Sequence, residues 1–320
     1  MLLLYSLDGP SDLASELAAA LQVSLAPLED RGFEDGEHKL RPLVDPRGSD
    51  AYVLHSLHGG PEFSPHDKLC RLLMFIATLR DHGASRISAV VPYLAYARKD
   101  RRTKPLDPLN LRYVAQLFDA VGTAQLIALE VHNLAAFQNA FRCPTLHLDA
   151  HEAFDALVPG WIGGGPLAVA SPDPGGVKRA QLWREALEQR LGRPVGFAMF
   201  DKRRSADVVS SFGLVAGDVE AATVLLLDDL IASGGTMQRA AKAFREAGAV
   251  KVVACAAHGL FTGDAPATLA DPSIDEVVVT DSVPGFRLPR DALLRRKLRV
   301  LGAAPLFAQA VRVSHDSWSG

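Results

Sequence analysis

Cysteine is scarce in this 320-residue chain, which carries only Cys70, Cys143 and Cys255. Their number is odd, their separations are long, and none belongs to a C-x-x-C pair. That argues against a disulfide framework, and the three read as small apolar residues in a reducing compartment. Long hydrophobic runs are missing too: no segment approaches the ~18–20 apolar residues of a membrane span. The opening Met1–Leu7 has no basic flank and meets Asp8 too soon for a signal peptide, so it reads as a first strand. Neither sign of charge is in large excess, and a net charge of -3 gives no global pull toward nucleic acid or an anionic membrane. These absences lead to the expectation of a cytoplasmic protein with no nucleic-acid and no membrane partner.

What is present is an ordinary globular balance, 48% apolar and 22% charged, in a length that suits two compact domains. Short β-type runs alternate with helical patterns, the signature of parallel sheets with helices on both faces. In the first half, 51–57 reads as a strand. Leu69, Leu72, Leu73, Ile76 and Leu79 then recur at helical spacing before Gly83, and 86–93 is the next strand. A helix is expected over 108–121, followed by a strand over 125–131. The second half repeats the plan, with strands expected at 167–170, 195–200, 223–227 and 250–257. A helix ending at Gly248 places Met237, Ala240, Ala241, Phe244 and Ala247 on one face. Residues 80–89 and 245–254 echo each other, each with Gly-Ala after a helix and a basic residue at the start of a strand. The expected fold is therefore α/β with two tandem related domains, 1–150 and 151–320.

The strongest chemistry lies in Val224–Met237. A buried strand runs into Asp228 and Asp229, and Ser233-Gly234-Gly235-Thr236 opens an amphipathic helix. Ligands of parallel α/β sheets sit beyond the carboxyl ends of the strands. The two glycines leave backbone N–H groups to converge on an anion, and the helix N-terminus favours a phosphate. Asp228 and Asp229 would repel that phosphate, so they belong on sugar hydroxyls or a bound Mg²⁺. Together these residues describe a sugar-phosphate site.

Five further segments carry candidate chemistry. The turn 32–37 carries an aromatic, Phe33, beside two acceptors, Asp35 and Glu37. The segment 92–101 brings Arg98 and Lys99, and Glu130-Val131-His132 follows a strand. Ser171-Pro-Asp173-Pro-Gly-Gly176 follows another strand, and Lys202-Arg203-Arg204 opens a long connection to Val224. His147 and His151 form an i, i+4 pair with no third ligand in the sequence to complete a zinc site, and they read as structural or surface residues. His258 reads equally as a site-lining or a packing residue.

These segments resemble the ribose-phosphate diphosphokinase (phosphoribosyl pyrophosphate synthetase) family across nearly the whole chain. The resemblance implies two tandem phosphoribosyltransferase-like (type I) domains, each with a mainly parallel sheet flanked by helices. Residues 1–150 would hold the ATP-contacting segments, and 151–320 the ribose 5-phosphate loop and the catalytic loop. It implies transfer of the β,γ-diphosphate of ATP to the anomeric hydroxyl of ribose 5-phosphate, with Mg²⁺ as cofactor, in a homo-oligomer. By the same resemblance, Lys202 and Arg204 are the catalytic cations. Phe33, Asp35, Glu37, Arg98 and Lys99 would contact ATP, with Lys99 replacing the commoner Gln. His132 and Asp173 would serve the metal, and Asp228, Asp229, Ala232, Ser233, Gly234, Gly235 and Thr236 would bind ribose 5-phosphate. Ala232 stands where the family usually has an acid.

A phosphoribosyltransferase shares the 228–236 loop but does not account for the first-domain segments or for Lys202-Arg203-Arg204. A non-catalytic regulatory homologue fits poorly with the retained Lys202, Arg204, His132 and Asp173. Nucleic-acid binding by 98–104 and 290–299 lacks both an aromatic-interleaved motif and a basic net charge.

Overall fold

A computed structural model describes residues 1–162, 164–201 and 214–319. Lys202 and Arg204 therefore lie outside the described residues. The chain divides into two compact units, 1–149 with 302–320, and 150–301.

The first unit is built on a five-stranded sheet in the order β1-β4-β5-β6-β7, parallel throughout. Its strands are β1 (Leu2–Ser6), β4 (Asp50–Leu54), β5 (Arg86–Val91), β6 (Gln125–Leu129) and β7 (Thr145–Leu148). An antiparallel hairpin, β2 (Leu28–Gly32) and β3 (His38–Pro42), stands outside that sheet. The helices are α1 (Asp12–Leu21), α2 (Pro65–Asp81), α3 (Asn110–Ala120) and α4 (Leu134–Ala140), with a last helix after the second unit. A capping box starts α2: Ser64 Oγ accepts from Asp67 N–H, and the Asp67 carboxylate accepts from Ser64 N–H. The apolar stripe read from the sequence then meets the sheet, and Leu72, Phe75, Ile76 and Leu79 pack with Tyr5, Val53 and Ala89 in one core.

The second unit is a seven-stranded sheet in the order β10-β9-β8-β11-β12-β13-β14. Its strands are β8 (Leu167–Ser171), β9 (Gly196–Asp201), β10 (Leu214–Ala216), β11 (Thr223–Ile231), β12 (Lys251–Gly259), β13 (Glu276–Thr280) and β14 (Leu298–Leu301). Among the described residues, β9 and β10 pair antiparallel and the sheet's other neighbours pair parallel. The helices are α5 (His151–Phe154), α6 (Val158–Ile162), α7 (Val177–Leu191), α8 (Gly235–Glu246) and α9 (Ala265–Leu269). Met237, Ala240, Ala241 and Phe244 of α8 pack on Val224, Leu226, Val252 and Ala254.

The echoed segments are alike in detail. Gly83 and Gly248 both adopt positive φ, at 82° and 97°, just past their helices. Ala84 N–H reaches Leu79 O as Ala249 N–H reaches Phe244 O, and β5 and β12 start at the matching Arg86 and Lys251.

Two sequence expectations need correction. A division at 150/151 assigns everything beyond it to the second domain, yet α10 (Ala304–Ser319) belongs to the first unit. The reason is a buried charge. Asp50 has no exposure and receives Arg86 Nε and Nη2 at 2.7 and 2.6 Å. Arg86 Nη2 also donates to Ser314 O at 2.9 Å, and His315 Nδ1 lies 2.6 Å from Asp50. The helix thus adds Ser314 and His315 to the buried Asp50–Arg86 pair. The second correction concerns β11. Its strand does not end before the carboxylates but continues through Asp228 and Asp229, pairing Leu230 with His258 and Ile231 with Gly259.

Candidate active site

In the second unit, adjacent strands β8 and β11 end in the two glycine-containing loops. After β11, Gly234 takes φ 77° and caps α8 without any side-chain hydrogen bond. A Cβ there would lie 2.7 Å from Leu269 Cγ, so the turn requires glycine. The amides of the first turn of α8 are left to a ligand, and the helix dipole makes an anion the favoured one. Ser233 is exposed, while Gly235 and Thr236 are partly buried at the helix start. Ala232 contributes its backbone, accepting Thr262 N–H at 3.0 Å and tying the loop to the end of β12.

The carboxylates stand just before this cradle. Asp229 is 4% exposed, and its N–H donates to Asp228 Oδ1 at 2.9 Å. Burial, and then the neighbouring Asp229, push the Asp228 carboxyl well above the ordinary carboxylate range. Arg179, at the start of α7, acts in the opposite direction from 3.7 Å. Folding therefore favours the protonated Asp228, so stability is full below the ordinary carboxylate value and falls as pH rises through the raised one. Asp228→Asn is expected to raise the unfolding midpoint at pH 8 by about 2–4 °C, the shift that about 1 kcal/mol produces in a domain of 150–250 residues. The difference from wild type closes toward pH 4, as a thermal-unfolding series over pH would show.

Asp173 has a local task. Its Oδ1 accepts the N–H groups of Gly175 and Gly176 at 2.8 and 3.3 Å, capping the short turn before α7. Gly176 packs so closely that a Cβ would lie 2.6 Å from Ser171 Oγ. The structure thus brings Asp173, Asp228, Asp229 and the 232–236 cradle to one edge of one sheet.

In the first unit, Arg98 and Lys99 follow β5, and His132 follows the adjacent β6. Asn133 Nδ2 donates to Asp100 Oδ2 at 2.6 Å and joins the two loops. Arg98 and His132 are exposed. Lys99 is engaged within its own loop: its ammonium donates to Asp107 Oδ2 at 2.5 Å, beside Thr103 Oγ1 at 3.3 Å. Lys99 and then Thr103 hold the Asp107 carboxyl well below its usual range, and the Thr103 and Lys104 amides complete the knot. Phe33, Asp35 and Glu37 sit on a separate element, the turn of the β2–β3 hairpin. Phe33 is 43% exposed, with the Arg31 guanidinium 5.1 Å from its ring centroid. Asp35 Oδ1 accepts Glu37 N–H at 3.0 Å, and Phe33 N–H donates to Glu37 O at 2.8 Å.

One grouping escaped the sequence. Glu130, His147 and Asp149 bring ligand atoms within 4.8 Å of one another, close enough to hold a cation. Glu130 adopts φ 41°, uncommon for a residue with a side chain, and its N–H donates to Leu148 O at 2.9 Å across β6 and β7. His151 is not part of this group; it stacks on Trp183 in the second unit. His258 is a packing residue, 3% exposed, with Nδ1 2.8 Å from Ser282 Oγ.

Comparison with known proteins places this geometry. Residues 2–122 match the N-terminal domain of ribose phosphate pyrophosphokinase, and 210–319 match the phosphoribosyl synthetase-associated domain. The chain is 35% identical to a ribose-phosphate pyrophosphokinase of Caldanaerobacter subterraneus subsp. tengcongensis over 307 residues, 96% of this chain and 92% of that one. It is 34% identical to the Listeria ivanovii ribose-phosphate pyrophosphokinase over 320 residues, 99% and 95% of the two chains. The crystal structure of phosphoribosylpyrophosphate synthetase from Mycobacterium smegmatis superposes with a TM-score of 0.84 at 32% identity, covering 99% of each chain. The chain belongs to the ribose-phosphate pyrophosphokinase family.

Proposed function

We propose that this protein is a ribose-phosphate diphosphokinase, which moves the β,γ-diphosphate of ATP to the anomeric hydroxyl of ribose 5-phosphate. The observation that carries the reading is the glycine-capped start of α8 just after two adjacent carboxylates, Asp229 buried and Asp228 half-buried. One half suits a phosphate and the other suits sugar hydroxyls. The amides of Gly234, Gly235 and Thr236, with the Ser233 and Thr236 hydroxyls, take the 5-phosphate. Asp228 and Asp229 accept from the sugar hydroxyls, and Ala232 serves through its backbone.

On the first unit, Phe33 stacks on the purine while Asp35 and Glu37 accept from it. Arg98 reaches the phosphates. Lys99 shapes the loop through Asp107 and adds positive charge to it. The anomeric hydroxyl attacks the β-phosphorus in line, and AMP departs with charge building on the α–β bridging oxygen. Lys202 and Arg204 meet that charge, Lys as a point cation and Arg as a planar fork across two oxygens. Mg²⁺ would suit the Asp173 carboxylate, a hard oxygen ligand of the kind it prefers. A metal neighbour is proposed in each unit by itself: Asp173, through Oδ2, in the second, and His132 in the first, where Glu130, His147 and Asp149 also bring ligand atoms within 4.8 Å of one another. When bound, the ion supplies neutralisation of phosphate charge. Among the described residues no helix is long and apolar enough to cross a membrane. A cytoplasmic location and a homo-oligomer complete the proposal.

Phosphorus NMR of the purified protein with ATP, Mg²⁺ and ribose 5-phosphate tests this reading. AMP appearing with a sugar-linked diphosphate supports it. ADP or free phosphate as the main product, or no change at all, would overturn it.

A further inference from the structure

A two-stranded ribbon is marginal by itself, so the β2–β3 hairpin stands where its anchors put it. Strand alternation sorts its charges. Glu29 pairs opposite Arg41, and its carboxylate is met on the hairpin itself by Lys39 Nζ at 3.0 Å and Arg41 Nε at 2.6 Å. Asp30 pairs opposite Leu40, which is 8% exposed, so it shares that face of the ribbon, although its own side chain stays 41% exposed. Its carboxylate has an ion-pair partner, and it is that partner that is buried.

The partner comes from α2. Arg71 is 3% exposed, and its Nη2 donates to Asp30 Oδ2. Its guanidinium carbon lies 4.5 Å from the Phe63 ring centroid, so the cation is held between the hairpin and the loop that precedes α2. His38, on the same face of β3, has its pKa lowered by burial and then by Arg71. An arginine so enclosed is held by the helix, and it fixes whatever it holds in turn. Asp30 lies three residues before Phe33 on the same chain, and the Phe33–Glu37 hydrogen bond closes the turn onto the stem. A displacement of the stem therefore reaches the turn undamped.

We propose that Arg71 is a positioning residue for nucleotide recognition: through Asp30 it latches the hairpin and sets where Phe33, Asp35 and Glu37 meet the purine. The inference rests on the reading of that turn as the nucleotide contact. Arg71 is paired with the stem of the hairpin and not with its turn, and it belongs to the first unit, so its loss is expected to act on the nucleotide. Without it, Asp30 is left without its ion-pair partner and the aromatic platform is no longer pre-placed, which costs affinity for the nucleotide without altering the chemical step.

The test measures initial rates of AMP formation by the full-length protein, varying ATP and ribose 5-phosphate separately. Arg71→Met is expected to raise KM for ATP about tenfold, a modest case of the loss that misplacement causes. In the same variant kcat and KM for ribose 5-phosphate stay within about twofold of wild type, because the interaction lost is made before the transition state. Arg71→Lys recovers part of the loss. Asp30→Asn, which spares the helix and guards against a folding defect, reproduces the effect, and the double variant is no worse than Arg71→Met alone. An unchanged KM for ATP in both single variants, or equal losses for both substrates, would overturn the latch. Phe33→Ala separates the two levels. No rise in its KM for ATP removes the reading of the turn, whereas a rise in Phe33→Ala without one in Arg71→Met removes only the role of Arg71.

Discussion

Lys202→Ala is expected to reduce turnover by on the order of 10²–10⁴ while leaving the fold and ATP affinity close to wild type. In diphosphoryl transfer little covalent work falls to the protein, and positioned positive charge does most of the catalysis. A lysine meeting charge that grows only as the α–β bridge breaks acts on the transition state more than on bound ATP. Its loss should therefore appear in kcat and in kcat/KM alike, with KM for ATP little changed. Circular dichroism, ATP titration and single-turnover AMP formation together check this. Wild-type-like turnover would remove Lys202 from the catalytic assignment, and loss of ATP binding in proportion would make it a binding residue.

The Asp228→Asn, Asp229→Asn double variant is expected to raise KM for ribose 5-phosphate about 10- to 100-fold, with KM for ATP within about threefold. Hydrogen bonds from sugar hydroxyls to charged acceptors contribute about 1.5–3 kcal/mol each, and asparagine keeps the size but not the charge. The amides at the start of α8 are untouched, so the phosphate end of the sugar keeps its cradle. Steady-state kinetics in each substrate would check the prediction, and equal losses for ATP and ribose 5-phosphate would defeat the division of roles. The single Asp228→Asn variant is expected to gain stability near neutrality while losing sugar affinity. Burial and the adjacent Asp229 both disfavour charge on Asp228, and asparagine removes that charge.

What could be read from the sequence was what is local. Leu72, Ile76 and Leu79, or Met237 and Phe244, reveal their core face because helical spacing repeats within a few residues. The strand–turn–helix order of 228–236 was legible because nine consecutive positions carry the strand end, the turn and the helix start. The β2–β3 hairpin gave no such signal. Leu28–Gly32 and His38–Pro42 are mostly charged or polar, and what holds them is Glu29 across the ribbon and Arg71 from α2. The extent of β11 was hidden because two acids interrupt its apolar run, although the ladder to β12 continues past them. Glu130, His147 and Asp149 meet only because β6 and β7 are neighbours, which chain spacing does not encode. Lys99 looked available to a ligand because its partner Asp107 lies across a turn whose closure depends on the Thr103 and Lys104 amides.

The helix α10 also imposes an order on how the protein comes into being. Residues 150–301 form the second unit without interruption, whereas the first needs 302–319, which follow the whole of the second in synthesis. Until those residues emerge, Asp50 and Arg86 lack Ser314 and His315. The unit that begins first on the ribosome is thus the one that finishes last, and residues 150–301 have all been made while residues 1–149 still lack α10. A nascent chain stalled shortly after residue 301 has cleared the exit tunnel should resist proteolysis in its later half and remain open to it in its earlier one.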